Sequence, residues 1–415
     1  MKPFLRILAI GLAPACGPRL AGDFPPDRRP GVTLEGVTYL PNGWALSPHG
    51  RHLEVGEFPM SVAVDPEERF AAVVLSGARE QGVALVDLER WAVADRAAVG
   101  RAWLGGAFLD GGKRLVLSGA ADNVLRLFSV DRAAGKLRKE GEIRVAEPGK
   151  EAFVGGIDVF EREGRRLAYA VLQLDRKLVE VDVKERIVVR SAEVGRLPYT
   201  CRVSRDGTRI FVTLWADARL LVLDRASLAP VATVAVGAHP NAVLEAPDGR
   251  LFVACANDDM VCVVDGRSLR VLERVKTSLT RGAPEGTTPN ALALAAGEEP
   301  LLAVANADNN DVALLDVGEA GETEIEGFVP TGWYPTAVAH LSRSDRFLVL
   351  SGKGIGSAPN PAGPISPLRK AGDPEFWIGS LMKGTVSVFP RPARRELRTL
   401  TRRTLGNTPY RDERL

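Results

Sequence analysis

The sequence predicts an all-β protein, a seven-bladed β-propeller, on three observations. The stretch 236–275 holds four short β-rich segments separated by turn residues such as Pro247-Asp248-Gly249 and Asn257-Asp258-Asp259, the pattern of an antiparallel meander. Copies of that unit begin near Pro59, Trp103, Phe153, Pro198, Pro240, Pro289 and Pro335, at spacings of 42 to 50 residues. A period of about 40–50 residues with four strands per copy marks a propeller, in which each sheet buries its faces against its neighbours. The third observation concerns the two ends. Residues 51–55 read as an outer fourth strand with no copy before it, and the last copy has only three strands. Pairing 51–55 beside 385–389 closes the ring and removes an open edge.

The units run in order. Unit one covers 59–100, unit two 103–145, and unit three 153–194, where Gln173-Leu174-Asp175-Arg176 replaces the usual Asn/Asp turn. Unit four covers 198–236 with Trp215-Ala216-Asp217, and unit six covers 289–329 with the run 305–311. Asp87, Asp131, Asp182, Asp224, Asp265 and Asp316 each end a third strand. Asp there is expected to accept backbone N–H bonds in the following turn, a structural role.

Forty-two Gly and 28 Pro supply the turns, and the formal net charge of +2 gives no footprint for nucleic acid. The first residues are basic, 7–13 are apolar, and Ala13-Pro14-Ala15 resembles a small-x-small cleavage site, so 1–15 reads as a signal peptide. Cys16 follows directly, in the position of the lipidated residue of a bacterial lipobox. The expected location is periplasmic or outer-membrane-anchored as a lipoprotein, or secreted. The chain is expected to be monomeric and to touch a membrane only through the anchor. The remaining divisions are a linker over 16–36, the propeller over 37–392, and a basic tail over 393–415. Residues 391–415 hold eight Arg against three acids. Within them 394–405 reads as a short helix with Leu397, Leu400 and Leu405 on one side.

The seventh unit carries an insertion at 352–384, too long for a simple hairpin and rich in apolar groups, including Phe376, Trp377 and Ile378. Hairpins between second and third strands lie on the face where each first strand begins. The insertion is therefore expected to fold over His239, Asn241, Asn257, Asn290, Asn306, Asp308, Asn309, Trp333 and Tyr334. With Lys353 and Trp377 of the insertion itself, these form the expected surface for a protein partner or a small polar ligand.

Chemistry is sparse. The four His, at 49, 52, 239 and 340, lack a metal-binding spacing, and no nucleophile elbow or P-loop occurs. No catalytic residue, metal or cofactor is assigned. Cys255 and Cys262 flank Asp258-Asp259. Either they face each other across the hairpin as a disulfide, or they are two buried thiols.

The Pro-Asn-Ala, Pro-Asp-Gly, Val-Ala-Asn and Val-Val-Asp segments resemble YVTN-repeat (YncE-like) propellers over about 37–410. A narrower set comprises Leu40-Pro41-Asn42-Gly43-Trp44, Pro330-Thr331-Gly332-Trp333-Tyr334-Pro335-Thr336, Gly352-Lys353-Gly354-Ile355-Gly356 and Ile378-Gly379-Ser380-Leu381-Met382-Lys383-Gly384. This set is similar to the propeller half of bacterial fusions with an alkaline-phosphatase-like phosphoesterase domain. The resemblance implies a propeller without the catalytic half, and a separately encoded phosphoesterase as a partner. The expected function is an exported non-catalytic binding module. The alternative is a propeller hydrolase, lactonase-like or phosphoesterase-associated.

Overall fold

The computed structural model describes residues 30–410, apart from 34, 148, 163, 281, 359, 361, 362, 364, 365, 368 and 371–376. The segment read as a signal peptide, Cys16 and Phe376 lie outside the described residues. The fold is all-β and propeller-like: seven four-stranded antiparallel sheets and one three-stranded sheet. No helix among the described residues is long and apolar enough to cross a membrane.

The fifth sheet shows why the unit folds this way. Its strands are Pro240–Glu245, Arg250–Cys255, Met260–Asp265 and Val271–Lys276, hydrogen-bonded in that order. The second strand is buried along its whole length, so an unbroken run of Leu251, Phe252, Val253 and Ala254 suits it. The fourth alternates between half-buried and exposed, as a strand with one solvated face must. Each buried Val, Leu or Phe contributes about 1.5–3 kcal/mol. Clusters of such side chains fill every junction between successive sheets, as where Phe252, Val261 and Val263 meet Leu302, Ala313 and Leu315.

The first strands of the seven sheets are Pro59–Val64, Gly106–Leu109, Val154–Arg162, Pro198–Val203, Pro240–Glu245, Pro289–Ala295 and Pro335–Leu341. Each touches the next, and the seventh touches the first. The second begins at Gly106 and not at Trp103, because Trp103 belongs to the lead-in turn. The expected pairing of the chain's ends is present: Arg51–Gly56 lies antiparallel to Gly384–Pro390, with His52 opposite Ser387. Every fourth strand carries a register shift against its third. Such bulges twist an outer edge away from foreign strands.

The six aspartates act as expected. Asp87 accepts from the N–H groups of Glu89 and Arg90, and Asp131 from Ala133 and Ala134. Asp182, Asp224, Asp265 and Asp316 cap their own turns in the same way.

Three features extend or decide the expectations. Gly31–Val32, Thr38–Tyr39 and Ala45–Leu46 form the small sheet, so ordered structure begins inside the segment read as a linker. Leu40, Trp44 and Leu46 of this sheet pack with Leu279 and Trp333. The helix runs Arg394–Asn407 and docks on the outer strand Glu324–Pro330. There Leu397 and Leu400 are buried, Thr401 Oγ1 accepts from Phe328 N at 2.9 Å, and Leu405 faces solvent. Cys255 pairs with Met260 and Cys262 with Val253, so the two cysteines sit diagonally. Both are free thiols, with Sγ atoms 3.8 Å apart.

Candidate functional site: an axial cavity beneath an aromatic collar

In all seven sheets the first residue after the second strand, or its last, donates its N–H to the residue that leads into the first strand. The pairs are Ser76 to Phe58, Ser118 to Gly105, Gln173 to Phe153, Trp215 to Leu197, Ala256 to His239, Ala307 to Thr288 and Gly352 to Tyr334, at 2.8–3.1 Å. These bonds put the second-to-third hairpins and the lead-in turns on one face, as the strand directions required.

The lead-in residues have an unusual conformation. Phe58, Phe153, Leu197, His239, Thr288 and Tyr334 all have φ between 44° and 64°. Side chains rarely adopt this left-handed region, so it takes the surrounding bonds to hold them there. Neighbouring sheets supply some of those bonds. Asn123 Oδ1 accepts from Phe153 N at 3.0 Å, Asp259 Oδ1 from Thr288 N at 3.1 Å, and Asn310 Oδ1 from Tyr334 N at 2.9 Å.

The strained turns carry a collar of aromatic rings. Phe58 lies 6.2 Å from Tyr334, and Trp215 stacks on His239 at 3.5 Å with the planes 1° apart. Trp103 meets Phe153 at 5.2 Å and Tyr199 at 5.1 Å, both edge-on. Trp103 leads into the second sheet and Tyr199 belongs to the fourth, so this group bridges over the third. Burial pushes the Tyr199 hydroxyl up to about 12, with a further upward push from Tyr334. Lys353 Nζ sits 4.4 Å from the Tyr334 ring centre and 5.2 Å from that of Trp333. Burial lowers the Lys353 pKa, and the Asp308 carboxylate opposes that shift.

Along the first strands runs an axial cavity of about 380 Å³ to which all seven contribute. Six of these strands begin with a register shift that inserts an extra residue. A bulge re-aims the side chain it carries. Asn241, Asn290 and Thr336 occupy this place in three consecutive sheets and line the cavity. Thr336 Oγ1 donates to Pro59 O at 2.6 Å. The amides are different. Asn241 is only 7 % exposed, and its Oδ1 and that of Asn290 are buried without a hydrogen-bond partner. Asp158 and Arg202 are the charged lining residues. They pair at 3.4 Å, and Asp158 also accepts from Val203 N at 2.8 Å.

The expected site residues divide. Asn241 and Asn290 line the axis; His239, Trp333, Tyr334 and Lys353 stand at the collar. Asn257 is exposed on its hairpin, away from the lining. Asn306, at the end of its second strand, is not exposed on the face. It is fully buried between the fifth and sixth sheets, bonded to Thr277 Oγ1 at 3.0 Å, Thr277 O at 3.0 Å and Asp311 Oδ1 at 2.8 Å. Asp308 and Asn309 line a second hollow of about 260 Å³ with Trp44, Glu285 and Tyr410. Trp377 is 66 % exposed, folded over Gly379. Both ends of the insertion sit on the expected face: Trp333 N donates to Gly354 O at 2.6 Å and Lys353 N to Trp333 O at 3.1 Å, while Lys383 Nζ donates to Glu57 at 3.3 Å. The sequence reading passed over Phe58, Trp103, Phe153, Tyr199 and Trp215 as parts of the collar. The signal was an aromatic at or near several first-strand starts.

Among the described residues no group of three or more His, Cys, Asp or Glu side chains is placed to hold a metal ion. His340 bonds Asp345 at 2.9 Å and packs on Phe347, a structural setting. No family profile matches the chain, and no curated protein matches it. Among solved structures, a chain of the Kuenenia stuttgartiensis hydrazine synthase is similar at 17 % identity and a TM-score of 0.58, over 72 % of this chain and 95 % of that one. At that identity the likeness is one of fold.

Proposed function

We propose that the seven sheets form one closed, seven-bladed propeller of the YVTN-repeat type, and that it is an exported, non-catalytic binding module. Its ligand is a small polar molecule, or the polar tip of a protein partner, held in the axial cavity. The observation that carries this reading is the pair of bulged amides, Asn241 and Asn290, whose buried oxygens have no protein partner. An unmatched buried amide costs about 1–3 kcal/mol. The lining mixes amides and hydroxyls with Gly, Ala and larger apolar residues, and Asp158 is already bonded to Arg202 and Val203, which supports binding over acid–base chemistry.

The ring contacts from first strand to first strand, and the pairing of Arg51–Gly56 with Gly384–Pro390, support closure. Export with lipid attachment at Cys16 rests on the leader, and a separately encoded phosphoesterase remains the first protein partner to seek. The test is a fragment screen by ligand-observed NMR against wild type and an Asn241→Leu/Asn290→Leu variant. Hits that lose binding in the folded variant support the site. Hits that ignore the double substitution, or none at all, refute it. Mass analysis of the membrane-extracted protein decides the attachment: a mature chain starting at acylated Cys16 supports it, and an unmodified Cys16 overturns it.

A further inference from the structure

Resting on the reading of the axial cavity as a ligand site, we infer that its ligand is uncharged and hydroxyl-rich, a monosaccharide or cyclic polyol. Charge is the first argument. The charged side chains in the lining, Asp158 and Arg202, already face one another at 3.4 Å. A charged ligand would leave water for a cavity whose two lining charges are of opposite sign and already paired with each other.

Hydrogen-bond capacity is the second. Asn241 and Asn290 line the cavity with their Oδ1 atoms buried, and a ligand reaches those oxygens by turning the carboxamide, which exchanges donor for acceptor. A hydroxyl also donates and accepts, so it matches the amide in either orientation. Ser61 and Thr200 add hydroxyls around the same cavity.

Size is the third. The lining spans Met60 to Val64 along one first strand, which is roughly 13 Å at about 3.3 Å per residue. The volume of about 380 Å³ lies at the small end of the range of about 300–1,000 Å³ for small-molecule pockets. One ring fits that space. Ala63, Ala107, Ala242, Ala291 and Ala337 supply small apolar surface for its C–H face.

The experiment is calorimetric titration with glucose, glucuronate and glucosamine, the last below the pKa of its amine, and with myo-inositol. These share a six-membered ring and differ in charge. Glucose or inositol binding at least about tenfold tighter than both charged sugars is the expected result. Asn241→Leu should lower that affinity by about tenfold or more while raising Tm, because it removes an unmatched buried amide. Asn290→Ser provides a second, milder variant if the leucine protein does not fold. A charged sugar binding as tightly as glucose, or tighter, overturns the inference. Failure of all four compounds, with fragment hits that still depend on Asn241 and Asn290, overturns the ligand class and leaves the site. Failure of every compound to sense those residues removes both.

Discussion

His52 Nδ1 lies 2.8 Å from Ser387 Oγ, joining strands separated by 335 residues in sequence at the point where the last sheet takes in the first long strand. Burial lowers the His52 pKa, and His49 lowers it further against the Pro48 backbone. Burial and then Arg403 lower that of His49, with Glu396 opposing. An imidazole whose folded pKa lies below its unfolded value of about 6.5 binds its proton more readily when unfolded, so stability is lost as pH falls below about 6.5. Thermal melts from pH 8 to 5 should show this acid loss, and His52→Asn should reduce it. Ser387→Ala should cost about 1 kcal/mol. An acid limb unchanged in the Asn variant would show that His52 plays no part.

The hairpin between second and third strands ends in a left-handed residue in five sheets: Asn123, Arg176, Ala218, Asp259 and Asn310. Asn123, Asp259 and Asn310 also bond the next sheet's lead-in N–H, whereas Ala218 has no side-chain acceptor to do so. Ala218→Asn should therefore stabilise the protein by about 1 kcal/mol, read as a higher urea midpoint at unchanged m. A lower midpoint would count against this bond to the next sheet's lead-in N–H.

Burial pushes the Asp311 carboxyl up to about 8, with the Asn306 amide opposing. The unfolded group titrates near 4. Between about pH 4 and 8 the folded chain holds a proton that the unfolded chain releases, so this group's contribution makes stability fall as pH rises. Asp311→Asn should remove that slope and exceed wild type at pH 8 by at least about 1 kcal/mol. Parallel pH profiles for the two proteins would refute the assignment.

Cys201, Cys255 and Cys262 are buried free thiols, and burial raises the pKa of Cys201. Native protein should react with a maleimide far more slowly than urea-unfolded protein, since the thiolate is the nucleophile. Fast native labelling at any of the three would contradict this packing.

What could be read in advance was local or repeated. The aspartate caps act within their own turns, and the Val-Gly ending of 51–56 matched other fourth strands, so its pairing with the last sheet followed. The collar was harder to read. Trp103 stands three residues before its strand, and its partners Phe153 and Tyr199 come from later sheets, so no window of sequence contains the group. Asn306 had the look of a surface turn residue until Thr277, 29 residues earlier, met it inside the sheet junction. The strands of the small sheet are two residues long and carry no periodicity to detect.

Residues 407–410 return to residues 44–47. Trp44 meets Tyr410 edge-on at 6.2 Å, and Ser47 Oγ donates to Asn407 Oδ1 at 3.0 Å. A linker could tie residue 410 back to the small sheet at 31–46 at modest entropic cost, because closure grows only slowly with loop length. The gene could then be cut anew at an exposed turn such as 318–322, giving a circular permutant in which the sheet that pairs Arg51–Gly56 with Gly384–Pro390 is covalently continuous.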